Sequence, residues 1–260
     1  QSTLTSHRKD REDLSEQIKA TTKEIHVRAE NTQLMLSYQK GQITLPGFHI
    51  MNGLECLLFN LLHTLEEEMD RNASHPGVAP IYFPQELARL ETLERDLEHF
   101  FGQGWQKRVI IPAATHRYTQ RLRKIGEGNP KLLVAHAYTR YLGDLSAGQV
   151  LGKITQKSIG LSSGEGLSFF SFPGVSSPNR FKQLYRSRMN SIELTKEERE
   201  GVLEEAIMAF DLNIQVSERE EAGDQEKAET PAIIPSLSIM QLSLGICVAL
   251  ATVGMGIYVF

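Results

Sequence analysis

The chain has 260 residues, 40% of them hydrophobic and 23% charged, and a formal net charge of −4. This composition is typical of a globular protein, and the slightly negative charge gives no reason to expect a nucleic-acid partner, which usually requires a basic face. Two cysteines, Cys56 and Cys247, are too few for a disulfide framework and suit a reducing compartment.

Apolar residues recur at helical spacing along most of the chain, and no alternation of period two is long enough to predict a sheet. Residues 1–11 are polar and charged and are predicted to form a disordered N-terminus, not a signal peptide. The stretch 12–216 is predicted to form an all-α, multi-helix domain, in which 160–175 is a Gly/Ser-rich loop with three phenylalanines. The predicted helices span 13–31, 48–72, 83–102, 112–126, 130–157, 178–189 and 195–216.

The C-terminal part of the chain has a different composition from the rest. Residues 217–232 are mostly charged and polar and are predicted to form a flexible acidic linker. Residues 233–260 contain no charged side chain and are long enough to cross a bilayer core of roughly 30 Å as a helix. A buried core helix is the alternative, but such a helix should have a polar face. We therefore predict a C-terminal transmembrane anchor, inserted after synthesis, with the body of the protein in the cytosol.

The eight histidines and the other motifs exclude several classes of enzyme. No glutamate has a histidine three residues later, as a di-iron carboxylate bundle requires. The chain also contains no HExxH zinc motif, no GxSxG nucleophile motif and no Walker phosphate loop.

His26 is a candidate ligand because it borders the apolar stripe of the first predicted helix. Lys19 lies seven residues earlier, on nearly the same face of that helix. A neutral imidazole facing an apolar slot, with a cation further along, would suit a planar cofactor that has an iron centre and carboxylates. The alternative is a histidine that is simply part of the core or the surface.

A second cationic face is predicted on the helix at 178–189. Lys182 and Arg186 are four residues apart, with Tyr185 beside them. The pair could hold acidic groups, since arginine binds carboxylates through two parallel hydrogen bonds. A solvated basic surface is the alternative.

The segment RYLGDLSAGQV (140–150) combines helical periodicity with two glycines, Gly143 and Gly148. A glycine inside a helix costs about 0.5–1 kcal/mol relative to alanine, so the two glycines need a reason. They would let a flat ligand or another backbone approach closely, or would mark a kink. Asp144 lies four residues after Arg140, and an ordinary ion pair between them is the alternative, although it does not explain the glycines.

Together these segments resemble the haem (heme) oxygenase family, most closely its inducible animal form. The resemblance covers nearly the whole predicted domain and includes the C-terminal anchor of membrane-bound members. The matching motifs are KEIHVRAEN (23–31), APIYFPQEL (79–87), LLVAHAYTRYLGDLSAGQVL (132–151), SSGEGLSFFSFP (162–173) and FKQLYRSRMNS (181–191).

The resemblance implies a fold in which haem is sandwiched between a proximal helix and a kinked distal helix. It also implies cleavage of haem b at its α-meso carbon to biliverdin, carbon monoxide and ferrous iron. That reaction would use O2 and electrons from NADPH–cytochrome P450 reductase, on the endoplasmic reticulum membrane, with biliverdin reductase as a further partner. A haem-binding or haem-sensing membrane protein with weak or no turnover is the alternative, and a purely structural tail-anchored protein is a third possibility.

The resemblance also assigns roles to individual residues. His26 matches the axial iron ligand, and Asp144 matches the carboxylate that anchors distal water. The catalytic positions are Arg140, Gly143 and Asp144. The haem-binding positions are Lys19, His26, Tyr138, Thr139, Gly148, Lys182 and Arg186.

Three features depart from the family pattern. Ala147 stands where the family usually has a glycine, so its methyl group is expected to stiffen the distal helix or crowd the haem. The segment 53–68 is about three residues longer than the pattern, which would change the face that this helix buries. Within it, Phe59 is expected to replace a tyrosine of the distal water network.

Overall fold

The fold is all-α in the computed structural model, which describes residues 13–32, 36, 45–108, 111–159 and 168–227. Within these ranges there is no β-strand, as the sequence predicts. The α-helices are α1 (Leu14–Thr21), α2 (Lys23–Glu30), α3 (Leu45–Arg71), α4 (Pro84–Leu87), α5 (Leu90–Phe101), α6 (Ala113–Gly128), α7 (Leu133–Ala137), α8 (Gly143–Ile159), α9 (Pro178–Asn190) and α10 (Lys196–Lys227). A π-helical turn, Tyr138–Leu142, joins α7 to α8. Short 3-10 helices lie at Ala79–Ile81, Trp105–Arg108, Pro130–Leu132 and Ser168–Phe170.

The hydrophobic core forms where α3, α6, α7 and α10 pack on one another. Each helix contributes side chains that are almost completely buried, such as Leu62 from α3, Leu122 from α6, Val134 from α7 and Phe210 from α10. α10 also packs against α1 and α2, so it runs along the side of the bundle that carries His26.

Three predicted helices are divided in the structure. The segment 130–157 forms the 3-10 helix Pro130–Leu132, α7, the π-turn and α8. The segment 13–31 forms α1 and α2, which meet at Thr22; its hydroxyl donates to the Ile18 carbonyl at 2.8 Å, a local bond that competes with regular helix geometry. The segment 83–102 forms α4 and α5. Its backbone is extended at Ala88, and the next N–H, that of Arg89, donates at 2.8 Å to the Glu66 side chain instead of continuing the helical ladder.

Prolines begin two of the helices, as the sequence predicts for the first of them. Pro84 begins α4 and Pro178 begins α9, where the missing N–H costs nothing. α5 ends at Phe101 and is followed by Gly102, whose φ of 73° is readily adopted only by glycine.

The C-terminal helix is longer than predicted. α10 continues to Lys227, so residues 217–227 of the segment 217–232 are helical here and not a flexible linker. Glutamate, alanine, lysine and glutamine dominate this stretch, and all of them favour helix. Within the described ranges, no helix is long and apolar enough to cross a membrane. The predicted anchor, 233–260, and the predicted disordered N-terminus, 1–11, lie outside the described residues.

Candidate active site

The helix that carries the glycine-rich motif is irregular immediately before that motif. Tyr138, Thr139 and Arg140 lie in the π-helical turn and are all buried, and α8 begins at Gly143. The Thr139 hydroxyl donates a hydrogen bond to the Ala135 carbonyl at 2.7 Å. This bond supplies a donor to a backbone carbonyl next to the π-turn. π-helical turns inside helices occur frequently at functional sites. A π-turn thus lies directly ahead of Gly143, in the segment where the sequence predicts a kink.

Asp144 is 2% exposed and lies between two arginines. Arg140 donates from Nη2 to Asp144 Oδ1 at 2.7 Å and from Nε to Oδ2 at 3.1 Å. Arg89 donates from Nη2 to Asp144 Oδ2 as well. The ion pair that the sequence offered as an alternative is thus formed, and a second arginine from a distant segment completes it.

Arg89 is held in this position by the phenylalanine-rich loop. Its guanidinium carbon lies 4.3 Å from the ring centroid of Phe169 and 4.2 Å from that of Phe172, and its Nη1 donates to the Phe169 carbonyl at 3.2 Å. The Phe169 N–H donates at 2.8 Å to Asp96 Oδ2, which fixes the loop to α5. The three phenylalanines are evident in the sequence, but Arg89 was not predicted, because it is one of several basic residues in a segment predicted to be a continuous helix.

His26 is completely buried, at 0% exposure. Its ring packs on that of Phe210, with centroids 5.6 Å apart, and its Nδ1 lies 3.6 Å from Glu30 Oε1. Burial lowers the pKa of His26 to about 4, so the imidazole is neutral near pH 7, which is the form that binds a metal. The sequence predicted a residue at the margin of the apolar stripe, and the structure buries it fully.

One turn of α10 connects the surroundings of His26 to those of Asp144. Phe210 contacts His26, and three residues later Asn213 donates to the Tyr118 hydroxyl at 3.2 Å. Burial raises the pKa of Tyr118 to about 12, and the charge of Arg140 works against that rise. α10 packs against the π-turn, which carries Arg140, as well as against α2, which carries His26. The predicted iron ligand and the predicted distal carboxylate therefore border the same region of the bundle.

The predicted cations on α9 meet the π-turn and α8. Lys182 Nζ donates to Ser146 Oγ at 3.1 Å, and Arg186 hydrogen-bonds the Tyr138 side chain. Lys182 is only 5% exposed, so the alternative of a solvated basic surface is wrong for this residue. Its burial, together with the charge of Arg186, lowers its pKa.

Lys19 lies half-buried on α1, the helix before the one that carries His26. The Ser15 N–H of α1 donates to Asn190 Oδ1 of α9 at 2.9 Å. α1 and α9 are thus packed together, and Lys19 is on a helix that borders the two cations of α9.

Packing among the described residues does not explain the glycine at 148. Gly143 and Gly148 are both buried. A Cβ added at Gly148 would lie 3.7 Å from the Phe170 carbonyl oxygen and 3.9 Å from Phe170 Cδ1, which are ordinary contact distances. The missing side chain therefore fits the close approach of a group from outside the chain.

Of the departures from the family pattern, the structure describes the side chain of Phe59 but not that of Ala147. The side chain of Ala147 lies outside the described residues, so the expected crowding stays a prediction. The ring of Phe59 lies 5.0 Å from that of Trp105, edge to face, and is stacked on His63 at 6.1 Å. Phe59 thus belongs to an aromatic group and supplies no hydroxyl to a water network.

Comparison with known proteins identifies the family. The family model for heme oxygenase matches residues 12–219. The chain belongs to the haem oxygenase family. A heme oxygenase from Takifugu rubripes is 56% identical over 263 residues, which cover 95% of this chain and 94% of that protein. Heme oxygenase 1 from Homo sapiens is 50% identical over 229 residues, covering 87% of this chain and 78% of that protein.

Solved structures of haem oxygenases share the fold. Heme oxygenase-1 from Synechocystis sp. PCC6803, crystallised in complex with heme, has a TM-score of 0.77 to this chain and 35% sequence identity. The match covers 84% of this chain and 96% of that one. Both the family resemblance and the predicted all-α haem oxygenase fold are confirmed.

Proposed function

We propose that this protein is an active haem oxygenase that binds haem b as its substrate through His26 and cleaves it at the α-meso carbon. The products would be biliverdin, carbon monoxide and ferrous iron, formed with O2 and with electrons from NADPH–cytochrome P450 reductase. Family membership supports the reaction. The observation that carries the assignment to these residues is a neutral, fully buried imidazole that borders the same region as the Asp144 cluster.

The residues of the site fit haem in three respects. His26 can coordinate the iron through the lone pair of a ring nitrogen because its imidazole is not protonated near neutral pH. Gly148 has space for a Cβ, which is consistent with a helix that lies against a flat ligand. Lys19, Lys182 and Arg186 are cations that suit the two propionates, and Tyr138 supports Arg186.

Asp144 is suited to hold water and move protons near the haem. When bound, haem supplies the iron at which O2 is activated. Arg89 and Arg140 fix both carboxylate oxygens of Asp144, so water that binds there would have a defined orientation. A positioned acid or base within hydrogen-bond reach accelerates a step far more than a mobile one.

Turnover tests the function directly. The haem complex is incubated with NADPH and the reductase, and the Soret band and bilin absorbance are followed. An active enzyme loses the Soret band while biliverdin and carbon monoxide appear. A haem spectrum that stays unchanged, with the reductase shown to be active on cytochrome c, would refute turnover and favour a haem-binding or haem-sensing protein.

His26→Ala tests the ligand. We expect loss of the histidine-ligated spectrum and of most of the activity. The ligand position is fixed by the fold, so another histidine cannot take the place of His26. His63→Ala is the matched control, since His63 is an exposed histidine stacked on Phe59. A normal histidine-ligated spectrum in His26→Ala would show that the assignment is wrong.

The proposed location is the endoplasmic reticulum membrane, with the catalytic domain in the cytosol. The uncharged segment 233–260 supports an anchor in the lipid. A membrane location would place the protein on the same surface as the reductase. Biliverdin reductase, which would consume the product, is proposed as a further partner.

A further inference from the structure

The phenylalanine-rich loop, at 168–172, holds the arginine that reaches Asp144 from a distant segment. The guanidinium carbon of Arg89 lies 4.3 Å from the ring centroid of Phe169 and 4.2 Å from that of Phe172. Arg89 also donates from Nη1 to the Phe169 carbonyl at 3.2 Å, while its Nη2 donates to Asp144 Oδ2. The position of this guanidinium therefore depends on the loop as well as on Asp144.

Asp96 fixes the loop to α5. This residue is 2% exposed, and its Oδ2 accepts a hydrogen bond from the Phe169 N–H at 2.8 Å, across 73 positions of the chain. Burial raises the pKa of Asp96, whereas hydrogen bonds from Phe169 and Ser168 and the charge of Arg95 lower it. A buried carboxyl is costly unless it is hydrogen-bonded, and the loop supplies the donors.

We propose that Asp96 is a positioning residue for Asp144, and that it acts through the phenylalanine-rich loop and Arg89. The Asp96 carboxylate fixes the backbone of Phe169, whose carbonyl and ring in turn fix Arg89. Arg89 then donates to Asp144. This role rests on the proposed function of the site, in which Asp144 holds water near the haem, and Asp96 itself is not proposed to touch the haem.

Arg89 is the partner of Asp144 that a movement of the loop would displace. Arg140 lies four residues before Asp144, and its bonds of 2.7 Å and 3.1 Å are local to that segment of the chain. Arg89 instead comes from the break between α4 and α5, 55 positions away. When the loop shifts, Asp144 keeps Arg140, but its Oδ2 loses one of two donors.

The position of Arg89 can be measured in the haem-free protein by proton–nitrogen NMR of its Nε–H group. That group is buried beside two aromatic rings, and the loss of its signal in Arg89→Met assigns it. In Asp96→Ala we expect the signal to move and its hydrogen exchange to be about tenfold faster, because the loop opens locally. Glu98→Ala, at an exposed position of α5, should leave both unchanged.

Two further variants test the series of contacts. Asp96→Asn keeps a side-chain oxygen that can accept the Phe169 hydrogen bond, so exchange at Arg89 should stay slow. Phe172→Leu leaves Asp96 intact but removes one of the rings beside Arg89, and because Phe172 is only half-buried the fold should persist. Exchange at Arg89 should be faster in this variant, as in Asp96→Ala. Unchanged exchange in either Asp96→Ala or Phe172→Leu would contradict the coupling.

Turnover separates positioning from a general loss of structure. In single turnover we expect biliverdin formation to be about tenfold slower in Asp96→Ala, because a displacement of about 1 Å can cost up to about 10²-fold and Arg140 still holds Asp144. Haem affinity, measured by titration of the Soret band, should change much less, because the proposed ligand His26 lies on α2. Asp96→Asn should restore most of the rate, and Glu98→Ala should match the wild type. Equal losses of rate and affinity would indicate a structural role and overturn the proposal.

A double-mutant cycle tests whether Arg89 carries the effect. In the Arg89→Met background, Asp96→Ala should slow turnover little further, because the link to Asp144 is already broken. Two losses that multiply independently would rule out the route through Arg89. If the wild type forms no biliverdin, the proposed function fails, whereas hydrogen exchange at Arg89 still decides whether Asp96 positions it.

Discussion

Asp144 owes its fixed position to residues that are far from it in sequence. Two guanidinium groups surround one carboxylate, and all three side chains are buried. Burying such charges is costly unless each one is paired and hydrogen-bonded. The rings of Phe169 and Phe172 face the Arg89 guanidinium and offset part of that cost, since a desolvated cation–π contact contributes about 2 kcal/mol.

Replacing Arg89 should therefore destabilise the folded protein, because it breaks a buried ion pair. We expect Arg89→Met to lower the free energy of unfolding by about 3 kcal/mol, because Asp144 would keep a single partner. Chemical denaturation of the haem-free protein measures the change. Arg95→Met, at an exposed position on α5, should stay within about 0.5 kcal/mol of the wild type. An equally small change in Arg89→Met would contradict the ion-pair argument.

Two glycine substitutions should separate folding from haem binding. Gly148→Ala adds a Cβ that meets only ordinary contacts, so the haem-free protein should keep its stability or gain up to about 1 kcal/mol. Haem affinity should fall about tenfold or more, because overpacking costs about 1–3 kcal/mol.

The matched change is Gly126→Ala, whose Cβ would lie 2.1 Å from Glu68 Oε2. Because Glu68 is buried, its side chain cannot move aside freely, and we expect a stability loss of about 1–3 kcal/mol. Haem affinity, measured by titration of the Soret band on the folded fraction, should stay unchanged. Unaltered haem binding in Gly148→Ala would remove the argument for close approach at that helix.

At the scale of elements, periodicity predicted where helices occur but not where they break. The interruption at Arg89 depends on Glu66, which lies on another helix, and no local pattern contains that information. The π-turn likewise occurs inside a stretch whose apolar spacing is continuous. The break at Arg89 thus arises from a tertiary hydrogen bond, which overrides local propensity.

The same distinction applies to the candidate site. His26, Asp144 and the glycines lie in short motifs that the family resemblance could assign from the sequence. Arg89 and Phe210 were not predicted, because each of them reaches the site from a segment that is far away in the chain. A buried charge can be recognised only when its partners are known, and these partners come together only in the folded molecule.

Three helices meet at Glu205 of α10. The Nε2–H of His136, on α7, donates to Glu205 at 2.8 Å, and Arg121, on α6, donates to the same carboxylate from Nε at 3.0 Å. Burial works to raise the pKa of Glu205, but these hydrogen bonds outweigh it and hold the pKa at about 2. The carboxylate therefore joins α6, α7 and α10 in its charged form.

The pH dependence of unfolding tests this junction. The folded pKa is depressed, so the stabilisation is fully present above the unfolded value of about 4.5 and is lost as the pH falls toward about 2. The shift corresponds to about 3 kcal/mol. The free energy of unfolding in urea should be lower in Glu205→Gln than in the wild type at pH 7. Between about pH 4.5 and about pH 2 it should fall less steeply with pH in the variant. Glu204→Gln, at the exposed neighbouring position, should follow the wild-type curve; two parallel curves for the wild type and Glu205→Gln would contradict the junction.

At the scale of the whole molecule, α10 connects the core to the candidate site. It packs on α1, α2, α3, α6 and α7, and it supplies Phe210 to His26 and Asn213 to Tyr118. Among the side chains that the structure describes, those that form the core and the candidate site all precede residue 217. We therefore expect catalysis and membrane attachment to be separable.

Truncation and membrane binding test this separation. The full chain, synthesised without membranes and then mixed with endoplasmic-reticulum-type vesicles, should pellet with them and resist carbonate extraction. A chain that ends at Lys227 should stay in the supernatant and form biliverdin with a soluble reductase at the wild-type rate. Val248→Arg places a charge near the middle of the span, at a cost of about 2.5–3.5 kcal/mol, and should insert less. If the full chain stays in solution, or if Val248→Arg resists extraction as well as the wild type, 233–260 is not a transmembrane anchor.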